Sequence, residues 1–216
     1  MNPDKNIITV LLADDHPSTR AGIRTILQGI HDIRVVGEAD NGNDVKRLVG
    51  KLCPKILLLD LVMPGPSPAE LERWVRTTCP ETITLVLTAH DRDAYLANMM
   101  DAGAAGFIPK TEKVEQLIQA IRRATGGEVL FTSDQLSRAQ CWREKAGSKW
   151  EKLTDREGEI LRLLSDGLGN KAISEKLVIS PKTTAYHVTN ILEKLGVKSR
   201  YEAVAWLHKY FPVDLE

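Results

Sequence analysis

Through the first 125 residues, short apolar runs alternate with longer stretches in which apolar side chains return every three or four positions. The runs at 8–13, 34–38, 56–60, 83–88 and 106–108 have the length and composition of strands. The stretches at 18–28, 43–52, 69–78, 91–102 and 111–124 carry the helical period. In the last of them Val114, Leu117, Ile118 and Ile121 recur at helical spacing. Strands spaced about 20 to 30 residues apart, with a helix between each pair, are what parallel pairing requires, because a parallel crossover consumes a dozen or more residues. The pattern predicts a parallel sheet covered by helices.

From 126 to 150 the period fails: Gly126-Gly127, mixed charges and small polar residues place a linker there, with room for some helix. Residues 1–125 and 151–216 are therefore read as separate domains. The second is helical throughout. Thr154-Asp155-Arg156-Glu157 is a capping box, in which the Thr hydroxyl accepts from the amide three residues on and the Glu reaches back to the Thr amide. Ser199-Arg200-Tyr201-Glu202 repeats the device, and Ser180-Pro181 puts a good cap before a proline at the first helical position. Residues 170–177 fit a fourth, short helix.

Charge changes this picture little. Lys and Arg number 29, as do Asp and Glu, and residues 151–216 hold 10 of each sign, so bulk electrostatics do not mark a nucleic-acid binder. Locally, residues 171–200 carry six cations, Lys171, Lys176, Lys182, Lys194, Lys198 and Arg200, against Glu175 and Glu193. Cys53, Cys79 and Cys141 are an odd number with no metal-type spacing, which fits reduced thiols better than a disulfide or zinc scaffold. The first residues lack a basic segment followed by an apolar core, and no apolar run approaches the roughly 18 residues of a spanning helix. The expectation is a soluble cytoplasmic protein without membrane association.

The candidate chemistry lies where polar residues end the strands. Asp14 and Asp15 close the first run, Asp60 the third and Thr88 the fourth, while Lys110 follows the fifth. In an open parallel sheet ligands bind beyond the carboxyl ends of the strands where strand order reverses, and in a 2-1-3-4-5 order that point falls between strands one and three. Three carboxylates would meet there. Crowded acids repel unless a cation balances them, and a partly hydrated Mg²⁺ beside a phosphoryl group is the usual solution. Taken singly, each residue has a plainer use: Asp14 and Asp15 as caps, Asp60 as a turn former, Thr88 as a strand end and Lys110 as a solvated charge.

Four motifs, Leu11-Leu12-Ala13-Asp14-Asp15-His16, Leu57-Leu58-Leu59-Asp60-Leu61-Val62-Met63-Pro64-Gly65, Val86-Leu87-Thr88-Ala89 and Gly103-Ala104-Ala105-Gly106-Phe107-Ile108-Pro109-Lys110, stand in this order across residues 7–125. The region resembles the receiver domains of two-component response regulators. The resemblance implies a flavodoxin-like, doubly wound α/β domain of five βα units with sheet order 2-1-3-4-5. It implies that Asp60 accepts a phosphoryl group from a histidine kinase, with Asp15, Asp60 and the Val62 carbonyl ligating Mg²⁺ and Asp14 acting through water. Thr88 and Lys110 would hold the phosphoryl oxygens, and Thr88 and Phe107 would form the switch, with ordinary core as the plainer use of Phe107. One departure is Pro68, where many relatives have Gly; it stiffens the loop after Asp60 by fixing φ.

Residues 151–212 resemble the LuxR-type helix-turn-helix of NarL/FixJ regulators, carried by Leu153-Thr154-Asp155-Arg156-Glu157, Asn170-Lys171-Ala172-Ile173-Ser174 and Ile179-Ser180-Pro181-Lys182-Thr183-Thr184, with His187, Ile191, Lys194-Leu195, Ser199-Arg200 and Glu202-Ala203. On a helix starting near Pro181, Thr184, Val188, Ile191 and Leu195 share the inward stripe. Lys182, Tyr186, Thr189 and Asn190 then face a major groove wide enough for a helix. The expected DNA contacts are Lys171 and Lys182 on phosphates, Tyr186, Thr189 and Asn190 on base edges, and Thr183, His187 and Lys194 beside them; His187 also suits a structural place at the bundle edge. Thr184 stands where relatives usually have Val, so its hydroxyl needs a local carbonyl. Ala185 and Thr189 stand where cations are common, which implies weaker monomer binding and greater reliance on dimerisation or a partner; the leading reading has a homodimer on two half-sites. Ala203, Val204, Leu207 and Tyr210 supply either that dimer interface or the core of the small domain.

Three functions compete. The leading one is a transcription factor gated by phosphorylation of Asp60. The second is a DNA-binding protein whose receiver only dimerises; the full set of Asp14, Asp15, Asp60, Thr88 and Lys110 argues against it. The third is an Asp-nucleophile phosphatase, which commonly needs an acid two residues after the nucleophile, where this chain has Val62. A non-enzymatic regulator is therefore expected.

Overall fold

A computed structural model describes residues 7–211. Strands β1 (Ile8–Ala13), β2 (Ile33–Ala39), β3 (Ile56–Leu59), β4 (Ile83–Thr88) and β5 (Gly106–Pro109) form one parallel sheet in the order β2-β1-β3-β4-β5. They alternate with α1 (Pro17–Gln28), α2 (Gly42–Leu52), α3 (Pro68–Thr78), α4 (Asp93–Ala102) and α5 (Val114–Thr125). This is the expected doubly wound α/β arrangement, and its strand order reverses between β1 and β3.

Both faces of the sheet are covered, which explains why the strands are continuously apolar. Val10, Leu12, Ile56, Leu58, Leu85, Leu87 and Ile108 pack with Leu27, Leu117 and Ile121 in one cluster. The alternate residues Leu11, Leu57, Leu59 and Val86 point to the opposite face and are buried as well. Pairing Ala13 with Leu59, Leu59 with Val86 and Thr88 with Pro109 brings the carboxyl ends of β1, β3, β4 and β5 to a common edge.

The chain divides into two compact units between Ser137 and Arg138. The remaining elements are α6 (Ser133–Trp142), a π-helical turn (Arg143–Gly147), α7 (Ser148–Trp150), α8 (Asp155–Ser165), α9 (Asn170–Lys176), α10 (Pro181–Leu195) and α11 (Arg200–Tyr210). The second unit is all-helical, with a core of Ile160, Leu161, Leu164, Ile173, Ile191, Leu195, Ala203 and Leu207. Trp150 stacks on Phe211 with ring centroids 4.3 Å apart, and Trp142 meets the same ring edge-on at 5.3 Å.

One sequence expectation gains detail and another changes. The aperiodic stretch 126–150 contains α6, whose start is marked by Thr132 and Gln135, which cap each other's amides. The cysteines are not all reduced: Cys53 and Cys79 form a disulfide, with Cα atoms 5.7 Å apart, between the carboxyl ends of α2 and α3. Their 26-residue separation has no motif value, and only the packing of α2 on α3 makes them neighbours. Cys141 is free and exposed.

Candidate functional site

The common edge of the sheet assembles the first site. The Asp60 amide donates to Ala13 O at 2.8 Å and the Asp14 amide to Ala39 O at 3.1 Å, so each aspartate leaves its strand still tied to a neighbouring one. Both carboxylates are buried. Asp60 Oδ1 accepts from the Leu61 amide at 2.8 Å, and Asp14 Oδ1 from the His16 amide at 2.9 Å. Lys110, one residue past β5, places Nζ 2.7 Å from Asp60 Oδ2 and 2.7 Å from Asp14 Oδ2. Burial opposes the charge on Lys110, but its hydrogen bonds to Asp14 and Asp60 and their negative charges win, holding its pKa above the ordinary lysine value.

Asp15 completes the acidic set. Its Oδ1 is buried without a hydrogen bond of good geometry, although His16 Nδ1 approaches to 2.6 Å. Ligand atoms of Asp14, Asp15, His16 and Asp60 all lie within 4.8 Å of one another. Three clustered carboxylates with one orphaned buried oxygen are the hard donor set that a small divalent cation such as Mg²⁺ prefers. Val62 lies half-buried in the turn after Asp60. His16 was missed from sequence, its one signal being adjacency to Asp15.

Thr88 is fully buried at the end of β4, and its Oγ1 accepts from the His90 amide at 3.1 Å. Phe107 is buried on β5. The proline-rich loop after Asp60 is fastened as well as stiff. Pro64 O accepts from the Gly42 amide at 2.8 Å, and Ser67 and Glu70 form a capping box that starts α3. Gly65 takes φ 122°, and a Cβ there would stand 3.2 Å from Gly42 N.

The second site is α10 with the turn before it. Ser180 caps the helix, its Oγ accepting from the Thr183 amide at 3.0 Å. Thr184, Ile191 and Leu195 are buried and Val188 half-buried, as the predicted stripe requires. The Thr184 hydroxyl finds its local carbonyl, Ser180 O, at 3.4 Å. Lys182, Tyr186 and Thr189 are exposed, as is Lys171 on α9, whereas Thr183, His187 and Asn190 are half-buried. The His187 ring lies edge-on to Tyr186 at 5.9 Å, and its Nδ1 is buried without a partner.

Several cations are committed internally. Lys194 Nζ lies 2.6 Å from Glu157 Oε2, Arg200 donates to Leu168 O at 2.9 Å, and Arg156 to Leu177 O at 2.8 Å. Lys149 donates to Leu195 O at 2.8 Å, placing a cation at the carboxyl end of α10 where the helix dipole favours it. On α11, Ala203 and Leu207 are core residues, so the plainer of their two readings accounts for them.

Comparison with known proteins matches both parts of the chain. Residues 10–122 match the model of the response regulator receiver domain, and residues 151–207 match that of the bacterial regulatory proteins of the luxR family. The transcriptional regulatory protein LiaR of Bacillus subtilis is 36% identical over 206 residues, covering 94% of this chain and 98% of its own. The nitrate/nitrite response regulator NarL of Escherichia coli K12 is 35% identical over 210 residues, covering 93% and 95%. RcsB of Salmonella enterica serovar Typhimurium, solved bound to a promoter with the phosphomimetic BeF3⁻, superposes with a TM-score of 0.62 at 30% identity, covering 94% of this chain and 98% of that one.

Proposed function

Because this chain belongs to the two-component response regulators that join a receiver domain to a luxR-family DNA-binding domain, we propose that Asp60 is its phosphoacceptor and that residues 151–216 carry the response to DNA. The observation that carries this reading is the shared grip of Lys110 on Asp60 and Asp14, 2.7 Å from each, beside the orphaned Asp15 oxygen. An Asp60 carboxylate oxygen attacks the phosphorus of a phosphohistidine on the partner kinase. The O–P bond forms, the P–N bond breaks, and the imidazole leaves with its electron pair. Asp15 and Asp60, with the Val62 carbonyl, would hold Mg²⁺ and Asp14 would act through water; the ion would supply charge neutralisation on the transferred group. Lys110 turns from Asp60 to a phosphoryl oxygen, keeping a cation where charge accumulates, and the Thr88 hydroxyl, which accepts from the His90 amide, donates its hydrogen to another of these oxygens. Phe107 moves with Thr88 as the switch.

At the DNA end, Lys171 and Lys182 contact phosphates and give salt-dependent affinity. Tyr186, Thr189 and Asn190 read base edges, with Thr183 and His187 flanking them. Lys194 is occupied by Glu157 and holds the helix in place. A homodimer reading two half-sites compensates for the small number of free cations on α10. The protein acts in the cytoplasm, where its kinase and promoter are accessible; among the described residues no helix is long and apolar enough to cross a membrane. Residues 1–125 form the receiver and 126–150 the connection to the DNA-binding domain.

The test is intact-mass spectrometry after treatment with acetyl phosphate and Mg²⁺, combined with sedimentation on an operator-length duplex. The wild type gains one phosphoryl group and assembles on DNA more tightly, and Asp60→Asn does neither. Equal assembly of phosphorylated and unphosphorylated protein would favour a receiver that serves only for dimerisation.

A further inference from the structure

Strand β5 has β4 on one side only, so its outward carbonyls lack a ladder partner. The segment after α5 supplies one for the residue just before the strand and one within it. The Leu130 amide donates to Ala105 O at 2.6 Å, and Leu130 forms a single parallel bridge with Gly106. The approach is close enough that a Cβ on Gly106 would stand 2.9 Å from Leu130 Cβ, which explains glycine at this position. Gln135 then donates from Nε2 to Phe107 O at 2.9 Å and is only 6% exposed.

The Gln135 side chain has a second duty. Its Oε1 accepts from the Thr132 amide at 3.0 Å while Thr132 Oγ1 accepts from the Gln135 amide at 3.1 Å, and these reciprocal bonds open α6. One amide group therefore binds a strand edge through its nitrogen and a helix start through its oxygen. α6 runs from Ser133 to Trp142 across the division between the two units, so its start lies in one and its end in the other.

We infer that Gln135 is a positioning residue through which the state of Asp60 reaches the DNA-binding unit. The inference rests on the reading of Asp60 as phosphoacceptor. Lys110 binds Asp60 through its side chain and Thr88 O through its amide, at 2.7 and 2.8 Å, and stands three residues after Phe107. Lys110 directly follows the four residues of β5, which also carry the Phe107 carbonyl, so a backbone shift of Lys110 toward a phosphoryl group carries that carbonyl with it. Gln135 must follow that carbonyl or release it, and either outcome moves the first turn of α6. The Phe107 side chain can repack within the core, but its carbonyl is the atom the connecting helix touches.

The experiment uses the full chain, beryllofluoride with Mg²⁺ as the phosphoryl analogue, and a duplex selected for tight binding by the wild type. Gln135→Glu removes the donor to Phe107 O and keeps the acceptor for Thr132. The quantity read is the ratio of DNA affinities with and without beryllofluoride. The ratio falls at least fivefold in Gln135→Glu, while the rate of Asp60 phosphorylation by acetyl phosphate stays within twofold of wild type. Hydrogen exchange across residues 136–142 responds to beryllofluoride in the wild type and not in the variant. Should Gln135→Glu fail to fold, Gln135→Asn, with an amide too short to reach, gives the same comparison. A ratio within twofold of wild type, with phosphorylation intact, overturns the inference. A wild-type ratio of one also overturns it. If Asp60 is then phosphorylated, the failure lies in the coupling; if it is not, the failure lies in the reading of Asp60.

Discussion

Lys194 Nζ lies 2.6 Å from Glu157 Oε2, joining α10 to α8 through a buried carboxylate. The same oxygen accepts from the Thr154 amide at 2.8 Å and the Thr154 hydroxyl at 3.0 Å. Burial pushes the Glu157 pKa up, but Lys194 and the Thr154 bonds outweigh it and leave the carboxyl below the usual glutamate value. A depressed folded pKa gives stability that is present above the unfolded value and lost as pH falls through the folded one. Glu157→Gln should therefore cost about 2 kcal/mol at pH 7, below the roughly 3–5 kcal/mol of a fully buried pair because Lys194 is partly solvated, and the difference should shrink toward pH 3. Urea unfolding followed by tryptophan fluorescence checks it, since Trp142, Trp150 and Trp206 all lie beyond residue 137.

A different pair of lysines should control the response to salt. Lys171 and Lys182 are exposed and make no ion pair among the described residues. Each of Lys171→Ala and Lys182→Ala should lower the slope of log affinity against log salt by about 1. Lys194→Ala should leave that slope unchanged while lowering stability. A fluorescence anisotropy series in NaCl separates the two behaviours, and an equal loss of slope in Lys194→Ala would return Lys194 to the phosphate contacts.

Glu72 is a carboxylate without an evident task. It is fully buried on α3, Thr84 stands beside it on β4, and neither carboxylate oxygen accepts a hydrogen bond of good geometry. Burial raises its pKa above the ordinary glutamate value. A raised folded pKa gives stability that is complete below the unfolded value and lost as pH rises through the folded one. The receiver should weaken as pH climbs from about 4.5 toward neutrality, while Glu72→Gln should be more stable at pH 7.5 by about 1–3 kcal/mol and lack that dependence. Urea midpoints read from Trp74, the tryptophan of the first unit, at a series of pH values decide the matter.

The fold was legible because its signals are local. Strand runs ending in Asp14, Asp60 and Thr88 need only the rule that ligands gather at carboxyl ends, and the structure delivers the Lys110 grip that this rule implies. What the sequence hid depends on contacts distant along the chain. Nothing near Glu157 or Lys194 announces that residues 37 apart will pair. The helix at Ser133–Trp142 was obscured by mixed charges, although Thr132 and Gln135 carried its capping signal.

The disulfide belongs to the same class of hidden contact. Cys53 ends α2 and Cys79 ends α3. Protein purified without reductant should show a single reactive thiol, Cys141, by thiol titration. Closing a loop of 26 residues restricts the unfolded chain, so reduction or Cys79→Ser should lower receiver stability by about 3 kcal/mol. Three titratable thiols in the native, unreduced protein would rule the bond out.

Val178 gives the clearest local strain. It occupies the turn between α9 and α10 with φ 54°, a left-handed conformation that a β-branched residue adopts at a cost, and it is 90% exposed, so no packing repays that cost. Its neighbours fix the geometry: the Val178 amide donates to Glu175 O and the Ile179 amide to Ser174 O, closing α9 just before Ser180 caps α10. Asparagine tolerates this region far better and, unlike glycine, does not enlarge the freedom of the unfolded chain. Val178→Asn should therefore stabilise the DNA-binding domain by about 1 kcal/mol, read as a higher urea midpoint at unchanged slope. Because the turn sets the angle at which α10 leaves α9, DNA affinity should stay within twofold of wild type. A lower midpoint would mean that the exposed valine contributes to stability in a way its surroundings do not reveal.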